Sequence, residues 1–270
     1  MEHLVCYSGG HSSALVALEV AKKYSSKNLI LLNHDISPRV EDADIKRFKR
    51  EIADYLGVPI TYANMEGWET KDQFDVCREI GGFKFGAGQI LCTNRIKTVP
   101  FDKYLAENFP AKDGACGEVT IYYGFDMSES QRIQRRSSIL GQRGYRTDYP
   151  LALWKQTIKN TIEIGISPPG TYGIFKHANC VGCLKAGKQH WYIVYCTMPD
   201  IWQKAKDTEN EIGHSIKRNE YLEDFEPIFE RMKRNNVPAT DHIPSAKFWK
   251  LAKMDGEQLG FDNLPCECIF

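Results

Sequence analysis

The chain lacks a net charge. Its 35 lysines and arginines match its 35 aspartates and glutamates, so no global field draws it onto a polyanion, and nucleic acid is neither indicated nor excluded as a partner. It also lacks any run near the roughly 20 apolar residues needed to cross a bilayer, so no membrane segment is expected. The opening stretch Met1 to Tyr7 has neither a basic leader nor a long apolar region, which predicts a cytoplasmic protein rather than a secreted one. There is no internal repeat and no low-complexity tract. No Gly-Lys-Ser/Thr follows a glycine after four spacer residues, which removes the Walker type of phosphate loop.

What is present is an ordinary globular balance, with 42% hydrophobic and 26% charged residues over 270 positions. That length allows either one substantial core or a main domain with an appendage, and the second is expected. The sequence predicts a main domain over 1–166 and a cysteine-containing, mainly helical region over 167–270, divided at the turn-rich stretch Ser167 to Gly173. Nine cysteines are many for a reducing compartment, where structural disulfides are rare, so metal or redox chemistry is the better expectation.

The first 65 residues alternate short apolar runs with helical patterns. Leu4 to Tyr7, Asn28 to Leu32 and Val58 to Tyr62 are strand candidates, and Val119 to Tyr123 is a fourth. Between them, Ala14 to Ala21 has helical composition, and Val40 to Leu56 carries Ile45, Phe48, Ile52 and Leu56 at helical spacing. Phe101 to Phe109, Trp154 to Ile162 and Ile201 to Lys217 also read as helices. Helices between short apolar strands imply crossovers and a parallel sheet, so the fold class is α/β.

Ser8-Gly9-Gly10-His11-Ser12-Ser13 lies where the first strand meets the first helix. A glycine-rich turn there presents unpaired backbone N–H groups and the positive end of the helix dipole, both of which favour an anion. The glycines let a phosphate approach the backbone, and the serine hydroxyls add hydrogen bonds or cap the helix. The same residue types also make a plain capped helix start. Cys180-Val181-Gly182-Cys183 has spacing that lets two thiolates meet one metal; a redox pair and two buried thiols are the alternatives.

The loop resembles the Ser-Gly-Gly-x-Asp-Ser PP-loop of the ATP pyrophosphatase and phosphoadenosine phosphosulfate (PAPS) reductase superfamily, with Ser12 where the acid is usual. Cys92-Thr93-Asn94-Arg95-Ile96-Lys97-Thr98-Val99-Pro100 is similar to the Cys-Thr-x-x-x-Lys-x-x-Pro segment of PAPS-reductase-like proteins. Gly124 to Arg132 is similar to their Gly-x-Arg-x-x-Glu-Ser-x-x-Arg stretch, with Asp126 in place of the first arginine. Asn179 to Gln189 resembles the Asn-Cys-x-x-Cys-x-Lys segment of phage and bacterial PAPS-reductase-like proteins.

This resemblance implies a Rossmann-like, HUP-type parallel sheet flanked by helices, with an adenine nucleotide (PAPS, adenylylsulfate or ATP) as substrate. It assigns the nucleotide to Ser8, Gly9, Gly10, His11, Ser12, Ser13, Asn33, His34, Asp35, Lys97, Gly124, Glu129 and Arg132. Lys97 and Arg132 would meet phosphate or sulfate oxygens, and Glu129 would orient Arg132; surface solvation is the ordinary fate of such charges. Iron-sulfur relatives hold a [4Fe-4S] cluster on cysteines, which implies Cys92, Cys180, Cys183 and Cys266 as ligands, with zinc as the alternative metal. Glu267-Cys268 repeats the start of the redox-active tail of PAPS reductases, which implies Cys268 as the nucleophile, served by a thioredoxin-like or other thiol reductant, with the exchange of roles between Cys266 and Cys268 as the alternative. Cys6, Cys77, Cys116 and Cys196 read as packing thiols. The expected function is thiol or iron-sulfur-assisted sulfur chemistry on a nucleotide. The alternatives are an ATP-dependent sulfurtransferase, as in DNA phosphorothioation, and a non-catalytic nucleotide or cluster sensor.

Overall fold

A computed structural model describes residues 1–84, 90–111, 118–178 and 180–252. β1 (Glu2–Cys6) leads through the glycine loop into α1 (His11–Tyr24), then β2 (Leu29–Asn33), α2 (Ala43–Leu56) and β3 (Ile60–Tyr62). α3 (Gln73–Ile80) follows, and a π-helical turn at Thr93–Thr98 feeds α4 (Val99–Asn108). The sheet is completed by β4 (Val119–Tyr122), α5 (Ser130–Gln142), β5 (Arg146–Asp148) and the short α6 (Pro150–Leu153). The rest is helical: α7 (Lys188–Thr197), α8 (Pro199–Ile212), α9 (Glu226–Arg234) and α10 (Ser245–Ala252).

The five strands run in the order β3-β2-β1-β4-β5 and every pairing is parallel, with Val5 opposite Leu31 on one side and Tyr122 on the other. The α/β fold expected from the sequence is therefore present. β1 is central and buried on both faces, which is why Leu4, Val5 and Cys6 form an unbroken apolar run. Side-chain alternation sorts the strands between two cores. Val5, Tyr7 and Leu31 pack with α1 and α2 through Val16, Phe48 and Ile52. Leu4, Leu32 and Ile121 pack on the other face with Phe101, Leu105 and Leu140. A third core joins α3 to the C-terminal helices through Phe74, Trp191, Trp202 and Phe229.

Two local expectations are corrected. Trp154 to Ile162 is not a helix: the chain runs irregularly to a 3-10 turn at Thr161–Ile164. The buried carboxylate of Glu19 accepts from the Ile158 N–H at 2.9 Å, from the Thr157 hydroxyl at 3.0 Å and from the Thr157 N–H, so these donors are satisfied without helical bonds. α8 ends at Ile212 rather than Lys217, because Gly213 turns the chain and Lys217 is drawn inward to the Ala186 carbonyl. No helix among the described residues is long and apolar enough to cross a membrane.

Candidate functional site

In open parallel sheets ligands bind beyond the carboxyl ends of the strands where the strand order reverses. Here that point lies between β1 and β4, and the glycine loop stands on it. Gly9 takes φ +83°, and Gly10 is the N-cap of α1, with no side chain of its own to cap the first turn. The Ser8 hydroxyl donates to Ser13 Oγ at 3.2 Å and lies 3.4 Å from the Gly10 N–H, while Ser13 Oγ donates to the Gly10 carbonyl at 2.8 Å. Ser8 and Ser13 thus hold the loop's shape, and exposed Ser12 is left on the outer side of the first turn.

His11 contributes its backbone rather than its ring. The ring accepts from the Thr161 N–H at 3.3 Å and lies against Phe48, and burial lowers its pKa, which keeps the accepting nitrogen unprotonated. The His11 N–H donates to the hydroxyl of Tyr172 at 2.8 Å.

Beneath the loop is a buried charge network that sequence reasoning missed. Lys49, 1% exposed, donates to Glu41 at 2.8 Å and lies 3.3 Å from Asn33 Oδ1. Asn33 in turn donates to the Tyr7 carbonyl. Lys46 reaches Asp35 at 2.5 Å and Glu41 at 3.2 Å, and Asn64 holds the Asp35 backbone at both its N–H and its carbonyl. Asn33 and Asp35 therefore anchor the end of β2. The signal for Lys49 was its place on the buried stripe of α2 beside Ile45, Phe48 and Ile52, where a lysine needs a partner.

Gly124 closes β4 against the same loop: a β-carbon there would lie 3.2 Å from Ser12 C and Ser13 N. The following turn carries the Glu129 to Arg132 ion pair, with the guanidinium 4.3 Å over the Phe125 ring. On the other side His34, buried at the end of β2, is pushed down to about 4, first by burial and further by the charge of Lys97, while its bond to the Ala63 carbonyl opposes the shift. Lys97 stands on the π-helical turn before α4, a distortion often found at functional sites. The loop and these flanking groups share one edge of the sheet.

Lys97 also bears on Cys92, whose thiol is pushed up to about 12 by burial, with Cys180 raising it and Lys185 and Lys97 opposing. Cys92 and Cys180 are thus neighbours although 88 positions separate them in the chain. Cys77, read from sequence as a packing thiol, lies beside Cys92 as well. The Cys180 to Cys183 turn is fixed by α3: Gln73 Nε2 donates to the Val181 and Gly182 carbonyls at 2.7 and 3.1 Å. The Gly182 N–H meets His190 Nε2 at 3.1 Å. Gly182, at φ +70°, leaves 2.9 Å between a would-be β-carbon and Phe74 Cζ.

Cys183 follows Cys180 on the same turn. No group of three His, Cys, Asp or Glu side chains poised for a metal ion exists among the described residues, Cys92, Cys180 and Cys183 included. Cys116, Cys266 and Cys268 lie outside the described residues.

No family model matches the chain, and no solved structure matches it. It is similar to an uncharacterized nin region protein, ORF290, of Escherichia phage lambda: 27% identical over 214 residues, which cover 70% of this chain and 68% of that one.

Proposed function

We propose that the chain is a PAPS-reductase-like enzyme that binds the phosphates of an adenine nucleotide at the Ser8 to Ser13 loop and acts on sulfur with thiol chemistry. The observation that carries this reading is convergence. Segments distant in sequence, namely the loop, the His34 and Lys97 neighbourhood and the Gly124 turn, meet at the carboxyl edge of a parallel sheet beside its switch point. Loop N–H groups and α1 would bind phosphate oxygens, while Lys97 and Arg132 would neutralise charge farther along the nucleotide. Uncharged His34 would line the site between β2 and Lys97 without adding a charge of its own.

The thiols of Cys92 and Cys180, close enough to influence each other and within the field of Lys97, support sulfur chemistry near the nucleotide. A neutral thiol is a poor nucleophile and a poor ligand, so Cys92 would need a metal or a further cation to ionise. A [4Fe-4S] cluster or zinc on Cys92, Cys180, Cys183 and Cys266 would supply that ionisation, although the first three are not gathered into a metal-holding group in the structure.

The test is turnover by the full chain of PAPS and of adenylylsulfate with dithiothreitol as reductant, read as sulfite released. Sulfite from either substrate is the expected result. Absence of sulfite together with pyrophosphate release from ATP would replace this reading with the sulfurtransferase one. Absence of both would reject sulfur chemistry.

A further inference from the structure

The positive end of α1 is not open. Its first N–H, on His11, is taken by the hydroxyl of Tyr172 at 2.8 Å, and the Ala178 backbone donates toward the same oxygen. A β-carbon on Gly10 would lie 3.4 Å from that hydroxyl and 3.5 Å from Ala178 Cβ. The phenol oxygen stands where an anion seated on the helix N-terminus would place one of its own oxygens.

We propose that Tyr172 is a built-in occupant of the phosphate position, and that a nucleotide enters by displacing it. This rests on the nucleotide reading of the loop. The segment that carries Tyr172 crosses the loop as a strap held by polar bonds. The Ser167 carbonyl is held by Arg47 at 3.2 Å, the Gly170 N–H by Asp44 at 2.6 Å, the Tyr172 carbonyl by His242 at 2.7 Å and the Ile174 carbonyl by Thr240 at 2.8 Å. Within the strap Thr171 Oγ1 is buried with no hydrogen-bond partner among the described residues, a cost that a second placement of the strap would relieve.

Chemistry favours the exchange. A neutral phenol oxygen gives the His11 N–H an ordinary hydrogen bond, whereas a phosphate oxygen gives a charge-assisted one of roughly twice the strength. The seated strap lowers apparent affinity in proportion to the fraction of molecules in which the loop is uncovered.

The experiment measures equilibrium binding of ATP and of PAPS to the full chain and to Tyr172→Phe, together with hydrogen exchange of the His11 amide. Phenylalanine keeps the ring and removes only the acceptor. The expected result is binding about threefold to tenfold tighter in Tyr172→Phe, the range set by one neutral hydrogen bond, and faster exchange of the His11 amide in the nucleotide-free variant. Equal affinities would make the contact incidental and overturn the proposal. Weaker binding by the variant would overturn it too, by making Tyr172 a donor to the ligand. If the wild type binds and the variant does not differ, only this inference falls; if neither protein binds either nucleotide, the reading of the loop falls with it.

Discussion

Lys49 lies directly beneath Gly9: its Cγ and Cδ are each 2.6 Å from where a β-carbon on Gly9 would sit. The ammonium beyond them is buried against Glu41 and Asn33. The loop therefore rests on the aliphatic stem of a lysine whose charge is neutralised below it. Its shape depends on a helix that does not belong to the turn itself.

Gly9 and Gly10 should separate stability from binding. Gly9→Ala meets both a left-handed backbone and the Lys49 stem, and should cost about 1–3 kcal/mol in a urea melt. Gly10 has φ −85° and ordinary clearances, so Gly10→Ala should cost under about 1 kcal/mol. Its added methyl stands at the mouth of the loop and should weaken nucleotide binding about tenfold. Equal destabilisation by the two would contradict this division.

The buried pair should respond asymmetrically. Glu41 has two cation partners, Lys46 and Lys49, whereas Glu41 is the only carboxylate within 4.0 Å of Lys49 among the described residues. Removing one member of a buried pair costs about 3–5 kcal/mol when the other is left uncompensated. Glu41→Gln should lie in that range and Lys49→Met below it, because Glu41 retains Lys46. Urea melts of both variants and of Glu41→Gln combined with Lys49→Met give the cycle, and the double variant should recover stability relative to Glu41→Gln.

Two buried groups set opposing pH responses. His34 falls from 6.5 to about 4 in the fold, so the unfolded chain binds its proton first, and stability is lost as pH drops from 6.5 toward 4. Glu209, buried between α8 and the turn before α9, rises from 4.5 to about 7. Its contribution is full below 4.5 and is lost as pH rises toward 7. Between pH 4.5 and 6.5 the two offset each other. Glu209→Gln should therefore lose stability on acidification more steeply than wild type, and His34→Gln less steeply, in melts at pH 4.5, 5.5 and 6.5. Parallel curves for all three proteins would refute the assignment.

The Cys180 to Cys183 turn should not tolerate a side chain at its third position. Gly182→Ala drives a β-carbon to 2.9 Å from Phe74 Cζ and 3.0 Å from Ile201 Cγ2, at φ +70°. A loss of about 1–3 kcal/mol is expected, with faster alkylation of the turn cysteines by iodoacetamide. Unchanged melting and alkylation would show that the turn is not fixed by α3.

The strands most legible in the sequence were those buried on both faces. β1, β2 and β4 read as apolar runs because parallel central strands have no polar face to show. β5 was invisible: Arg146, Thr147 and Asp148 form a polar edge strand with nothing apolar to signal it. The false helix at Trp154 arose because a single buried carboxylate, Glu19, 138 positions away from Thr157, satisfies the local backbone, which no local pattern reveals. The site followed the same rule. The loop, Gly124 and the Glu129 to Arg132 pair were readable as ordered motifs, whereas Lys49, Glu41, Cys77 and Tyr172 act through contacts that only the fold creates.

In the proposed function the Ser8 to Ser13 loop receives the phosphates of an adenine nucleotide. The most direct test is calorimetric titration of the full chain with PAPS, adenylylsulfate and ATP, each repeated with Gly10→Ala, whose β-carbon keeps ordinary clearances. Saturable one-to-one binding of at least one nucleotide, weakened about tenfold in the variant while its stability falls by under about 1 kcal/mol, is the result expected. No saturable binding of any of the three, or binding that the alanine leaves untouched, would contradict this reading.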